Sequence, residues 1–223
     1  GEFNDKQKWI EISVENIQIR REGNLIVASF IQKFKSNRIN SMGRKTLYFE
    51  RQGEEWKIKS ETWNKDIPSL THPYVVHIFS FNKRNAAIKT INYLRKEGFS
   101  AYESPFNLMD KGIWYRVFVD RFFSKSEAEE FAKSIIKRGY TDYAKELELP
   151  YAIETGIFES DGDAFKELLR LGEKGYSSYP LMVCDVDRCF YHILIGAYTN
   201  SEQAQPLSEE LTNNGIQNKI VQP

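Results

Sequence analysis

Residues 74–81 read YVVHIFSF and residues 151–158 read YAIETGIF. The two stretches start 151 − 74 = 77 positions apart, and at that spacing Gly98 falls on Gly175 and Tyr102 on Tyr179. Further along the spacing is 76, pairing Tyr115 with Tyr191, Ala128 with Ala204 and Gly139 with Gly215. One residue deleted from the intervening loop accounts for the change. A unit of this length exceeds the ~20–50 residues of a solenoid repeat, so each copy is expected to be a small domain with its own core.

The first copy reads cleanly. Residues 74–81 are β-branched and aromatic, a strand signature. Asn82 is the expected N-cap of a helix over 83–97, where Ala87, Ile88, Ile91 and Leu94 recur at helical spacing, and Gly98 is its C′ residue. Residues 99–105 and 113–119 read as further strands. In the latter, Ile113, Tyr115, Val117 and Val119 share one face, and Trp114, Arg116 and Phe118 the other. Ser124 with Glu127 forms a capping box for a helix near 125–138, closed by Gly139, and a last strand follows near 142–149. The second copy repeats the order, with a strand at 151–158, a helix near 162–174 capped by Asp161, and a hairpin over 178–196. A helix near 201–214 after Ser201 and a strand near 216–221 complete it.

The order β-α-β-β-α-β is the split pattern of ferredoxin-like folds: an antiparallel four-stranded sheet with both helices on one face. The other face is left open, or covered by a neighbour. Upstream, strand-like stretches near 11–21, 24–37, 44–52 and 55–63 are separated by turn signals at Gly23-Asn24 and Gln52-Gly53. The expected class is therefore α+β, with two ferredoxin-like βαββαβ domains preceded by a curved antiparallel β meander. The domains are 1–63, a linker 64–73 marked by Pro68 and Pro73, 74–149 and 150–223.

Composition narrows the function. The chain has 223 residues, 41% hydrophobic and 14% aromatic, enough to build cores. Lys plus Arg and Asp plus Glu are each 31, so the basic balance of a nucleic-acid binder is missing, and no nucleic-acid partner is expected. No apolar run reaches the ~20 residues of a membrane helix. Gly1-Glu2-Phe3, without methionine, reads as a cloning remnant, and membrane contact is expected only through a segment outside this chain. Three scattered histidines and two cysteines give no metal-ligand spacing, so neither metal nor other cofactor is expected. Cys184 and Cys189 flank Asp185–Arg188, which leaves two readings: a disulfide across the hairpin, or two buried thiols. The aspartates there lack the glycine and terminal glutamate of an EF-hand loop.

The ordered set Tyr74, Val76, Ser80, Phe81, Ala86, Leu94, Gly98, Trp114, Arg116, Val117, Ser124, Glu127 and Ala128 resembles the SPOR domain, a peptidoglycan-binding module of bacterial envelope proteins. The first copy departs from that pattern at His77, where the family has Gln, and at Phe79, often Gly. Asp120-Arg121-Phe122 stands in place of Gly-Pro-Phe. The second copy departs further. It has Glu154, Ile157, Phe190 and His192 at the Gln, Ser, Trp and Arg positions, and keeps Gly156, Phe158 and Gly196.

The resemblance implies binding of glycan strands stripped of stem peptides, on the open sheet face, at His77, Ser80, Phe81, Trp114 and Arg116. The chemistry agrees. Such a strand is an extended run of rings, acetamides and lactyl carboxylates; an indole offers a flat platform and one donor, and a guanidinium holds a carboxylate with two parallel bonds. Alternatives stand beside each residue. Trp114 is covered by a neighbouring domain or contacts ligand; Arg116 pairs with an Asp or Glu or stays free; His77 is a structural polar group rather than a catalyst. His77 and Ser80 differ by an odd number, so a bulge, or the strand end near Ser80, is needed to put both on one face.

Residues 73–149 carry 13 Lys/Arg and 10 Asp/Glu, 13 − 10 = +3, whereas residues 150–223 carry 5 and 11, 5 − 11 = −6. The first copy is thus expected to bind the polyanionic glycan and the second to be an interaction or spacer domain.

Upstream, Phe30–Ser36, Gly43–Leu47, Trp56–Ile58 and Glu61–Trp63 resemble the second half of a nuclear-transport-factor-2-like domain of the kind that accompanies L,D-transpeptidases. Its usual helices would lie before residue 1, leaving apolar sheet surface to be covered. The cone of that fold would hold Glu15, Glu50 and Glu61, with no histidine before His72, and the transpeptidase pattern Ser-x-Gly-Cys-x-Arg is absent from the chain. No catalytic residue is expected. The overall expectation is a non-enzymatic envelope protein in the periplasm of a Gram-negative bacterium that targets a partner to the wall or division site. Three alternatives remain: a scaffold for envelope or division proteins, an accessory region of a transpeptidase whose catalytic domain lies elsewhere, or a small-molecule-binding or catalytic cone domain with a deep pocket lined by Glu50 or Glu61.

Overall fold

A computed structural model describes residues 10–36, 40–64, 71–184 and 189–223. Residues 185–188, residues 1–3 and most of the expected linker lie outside the described residues, as does the side chain of Cys184. The chain packs as two compact units, residues 1–67 with 183–189, and residues 68–182 with 190–223.

The first unit is built on the strands β1 (Ile10–Glu22), β2 (Leu25–Ser36), β3 (Asn40–Gln52) and β4 (Glu55–Asn64), antiparallel in the order β1-β2-β3-β4. Two-residue loops join β1 to β2 and β3 to β4. Gly23 and Gly53 open them at φ 58 and φ 66, the left-handed conformation that tight hairpins demand. Alternation buries Val27, Ser29 and Ile31 on one face, where the Ser29 and Thr46 hydroxyls meet at 3.0 Å. The opposite face shows Ile12, Trp56, Ile58 and Trp63 to solvent. Glu50 and Glu61 do not form a pocket pair: Lys59 binds the first at 2.9 Å and Lys45 the second at 2.9 Å.

The second unit holds both repeats. In the first module β5 (Tyr74–Phe81), α1 (Arg84–Lys96), β6 (Ala101–Leu108), β7 (Gly112–Phe122), α2 (Lys125–Lys137) and β8 (Lys145–Glu148) make an antiparallel sheet of order β6-β7-β5-β8. In the second module β9 (Tyr151–Phe158), α3 (Asp161–Glu173), β10 (Ser178–Cys184), β11 (Cys189–Tyr198), α4 (Ser201–Asn213) and β12 (Lys219–Val221) give β12-β9-β11-β10, the same spatial order. Each sheet buries one face under its two helices. Val76, Ile78, Val117 and Val119 meet Ile91, Leu94, Phe131 and Ile135, and Ile153, Ile193 and Ile195 meet Leu171 and Leu211. Burying each large aliphatic side chain contributes ~1.5–3 kcal/mol.

The helix ends correct the sequence reading in detail. Lys83, not Asn82, is the N-cap of α1 and makes no side-chain cap bond. Ser160 rather than Asp161 caps α3, and Asn200 rather than Ser201 caps α4. In each case the cap lies one residue away from the site that spacing chose; in α3 and α4 neighbouring cap-forming residues compete and packing decides. Pro206 sits inside α4 instead of limiting its start. Ser124 does cap α2, accepting the Glu127 N–H at 3.2 Å. Replacing Ser124 by alanine is expected to cost ~0.5–2 kcal/mol, read as a lower urea midpoint at unchanged slope.

Two bulges shape the first sheet. Ile78 is skipped in the register, with His77 opposite Phe118 and Phe79 opposite Val117, so His77 and Ser80 share the helix-free face as parity required. Asp120, where the SPOR pattern has Gly, sits at φ 54, and its repeat partner Gly196 at φ 69. Asp is among the few side chains that tolerate this left-handed geometry. Register runs from Val76–Val119 to Val75–Arg121, skipping Asp120, which turns Arg121 onto the helix-free face.

Candidate functional site

The helix-free face of the first module is not uniformly open. Along β7 residues 112–113 are exposed, residues 114–116 are intermediate and residues 117–122 are buried. The covered end faces the second module. Tyr102 stacks on Tyr179 with ring centroids 3.6 Å apart and planes 12° from parallel. These tyrosines are repeat equivalents, so the two sheets meet like with like, as across a two-fold axis. Arg121, 2% exposed, is held there by four acceptors: Tyr179 Oη at 2.7 Å and the carbonyls of His72, Leu149 and Tyr151 at 2.9, 3.1 and 3.0 Å. Burial opposes its charge, but the phenols of Tyr179 and Tyr102 outweigh that and hold it more firmly protonated than a free guanidinium. Ser104 Oγ donates to the Ala197 carbonyl at 3.2 Å. Of the two readings of this face, open or covered by a neighbour, the covered one holds at this end: apolar residues Phe118 and Val75 would expose too much surface unless covered, and Tyr179 of the sister module lies over them.

The other end keeps the sequence-derived site. Ser80 lies opposite Arg116, and His77 opposite Phe118. His77 Nε2 lies 2.9 Å from the Phe79 carbonyl and 2.9 Å from Ser80 Oγ. A carbonyl only accepts, so Nε2 carries the proton. Desolvation, together with the charge of Arg116, holds the His77 pKa below 6.5 in spite of that carbonyl, so the ring is neutral at pH 7. The Arg116 guanidinium lies 3.6 Å above the centre of the Phe106 ring. Among the described residues no carboxylate pairs with Arg116. Stacking covers one face of the fork and leaves its in-plane N–H groups for a ligand.

Two predicted residues behave differently. Trp114 is half-buried with its Nε1 shut off from solvent and unbonded, so it presents ring surface rather than the donor expected of it. Phe81 does not join the group: it packs on the helix-covered core beside Phe79 and pairs with Tyr115. Phe106, Tyr143 (its ring 5.8 Å from His77) and Ser104 belong to this surface and were missed. Only the alternation of β6 against β7 could have pointed to Phe106. Beside Arg116 a pocket of 340 Å³ opens, with Ser104, Phe106 and Ile113 in its wall.

The equivalent place in the second module is closed by its own charges. Glu154, at the His77 position, receives His192 Nδ1 at 2.6 Å and Lys219 Nζ at 2.8 Å. Desolvation pushes its carboxyl up, yet the bonds from His192 and Lys219 prevail and hold it below 4.5. Its contribution to stability is therefore full above pH 4.5 and lost as pH falls through the lowered value. Glu154→Gln is expected to melt below the parent chain at neutral pH, with the gap closing in acid; a gap that persists in acid would contradict the ion pairing.

Two family models match separate parts of the chain. Residues 71–145 match the SPOR domain. Residues 2–62 match the Cds6 C-terminal NTF2-like domain. SPOR domains bind peptidoglycan and occur in cell-envelope proteins. The match covers the first module alone; the second shares its strand and helix order, and the tandem reading goes no further than that topology. No curated protein and no solved structure matches the chain. Among the described residues no helix is long and apolar enough to cross a membrane.

Proposed function

We propose that the chain binds peptidoglycan glycan strands lacking stem peptides, through the uncovered end of the SPOR sheet at Arg116, Ser80, His77 and Trp114, with Phe106 beneath the guanidinium. The observation that carries this reading is Arg116: a half-exposed fork, seated on an aromatic ring, with no carboxylate among the described residues engaged. Removing the stem peptide frees a lactyl carboxylate, and bidentate pairing with such a group is what the fork lacks. The Ser80 hydroxyl and the Trp114 ring supply a hydrogen-bonding group and a platform for the flanking sugar. The role is binding and targeting without catalysis, in the periplasm of a Gram-negative cell and at its division site. A disulfide at Cys189 accords with an oxidising compartment.

Co-sedimentation of the chain with purified sacculi, before and after amidase digestion, tests the reading. Retention is expected to rise after digestion. Equal retention on both would remove the preference for stripped strands, and no retention on either would remove glycan as the ligand. A second reading, a platform for envelope proteins, is favoured by the exposed apolar face of the first unit. In that case Ile58→Asp would abolish partner binding and leave sacculus binding intact.

A further inference from the structure

The pocket beside Arg116 has two owners. Ser104, Phe106, Ile113 and Arg116 form its SPOR wall, while Tyr198, Thr199, Gln203 and Leu207 from the end of β11 and the first turns of α4 form the other. At 340 Å³ it falls at the low end of the ~300–1,000 Å³ usual for ligand sites. One wall is cationic and aromatic, the other amide-bearing and aliphatic. Gln203 is exposed, and its Oε1 accepts the Thr199 N–H at 3.3 Å. That bond fixes which end of the amide is engaged and leaves the NH₂ group with both donors for a ligand.

We infer that the second module is not a spacer but completes the glycan site, Gln203 and Leu207 holding an N-acetyl group of the strand whose carboxylate lies on Arg116. This rests on the glycan reading above and deepens it. An acetamide needs a donor for its carbonyl and an apolar surface for its methyl. Gln203 and Leu207 are one helical turn apart on α4 and share one face, so they offer both within one pocket wall. The acidic balance of the second module does not oppose this. Its buried carboxylate Glu154 is hydrogen-bonded to His192 and paired with Lys219, and no Asp or Glu lines the pocket.

The test uses the whole chain and amidase-treated sacculi. Gln203→Glu keeps an oxygen for the Thr199 N–H, so the helix start survives, but it removes the NH₂ donors and sets a negative charge opposite Arg116. It is expected to weaken binding by about tenfold or more, the scale of one lost hydrogen bond plus a like-charge clash. Gln222→Glu, the same charge change outside the pocket, is expected to bind as the parent chain does, and all variants to melt together. If Gln203→Glu binds like the parent while Arg116→Ala is impaired, the shared site is overturned and the SPOR-only site stands. If neither variant changes binding, both readings fall.

Discussion

Replacing Arg121 by alanine is expected to destabilise the second unit by ~3–5 kcal/mol, the range measured when one partner of a buried charged network is removed. This side chain donates four hydrogen bonds, three of them to the carbonyls of His72, Leu149 and Tyr151. Those carbonyls are the start of the first module, its end, and the start of the second. Alanine leaves them buried beside a cavity with no donor, and each such group costs ~1–3 kcal/mol. For a unit of this size the melting temperature would fall by roughly 6–20 °C. Arg121→Lys keeps the charge but has no planar fork to reach acceptors on several sides, so an intermediate loss is expected. Thermal melts followed by circular dichroism decide it; a fall under ~1 kcal/mol would show that the tyrosine stack alone holds the modules together.

Arg116→Ala is the opposite case. The side chain is half-exposed and pairs with no carboxylate among the described residues, so its removal is expected to change folding stability by no more than ~0.5 kcal/mol. Binding to stripped sacculi is expected to fall by about 10- to 150-fold, because a charge-assisted hydrogen bond to a carboxylate is worth ~1.5–3 kcal/mol. Binding of the parent chain should also weaken with added salt, since the contact is at the surface. Affinity unchanged in the alanine variant, with melting also unchanged, would remove Arg116 from the site. Affinity and stability lost together would mean that the stack on Phe106 is structural.

Much of this could be read from residue order alone. Helical spacing in Ala87, Ile91 and Leu94, alternation in residues 113–119, the Ser124–Glu127 box and glycines at the helix ends are all local signals, decided within a few residues along the chain. They located every strand and helix of both modules to within a few positions. The parity of His77 and Ser80 called for a bulge or a strand end, and the structure has the bulge, at Ile78. The caps of α3 and α4 slipped by one residue because Ser160 and Asp161, and Asn200 and Ser201, are near-equivalent choices, whereas α1 starts after Lys83 without any side-chain cap.

What order along the chain could not decide is which sheet surface remains in water. Tyr102 and Tyr179 coincide in the repeat, but nothing local says that they stack on one another. Arg121 reads as a departure from a Gly-Pro-Phe turn, and only contacts 28–58 residues distant make it the clasp between modules. The same holds for the pocket, whose second wall comes from α4, about 90 residues beyond Arg116 in the chain. Secondary structure follows from backbone sterics and side-chain periodicity, which act between near neighbours. The location and membership of a binding surface follow from burial, which depends on every residue that folding brings to it.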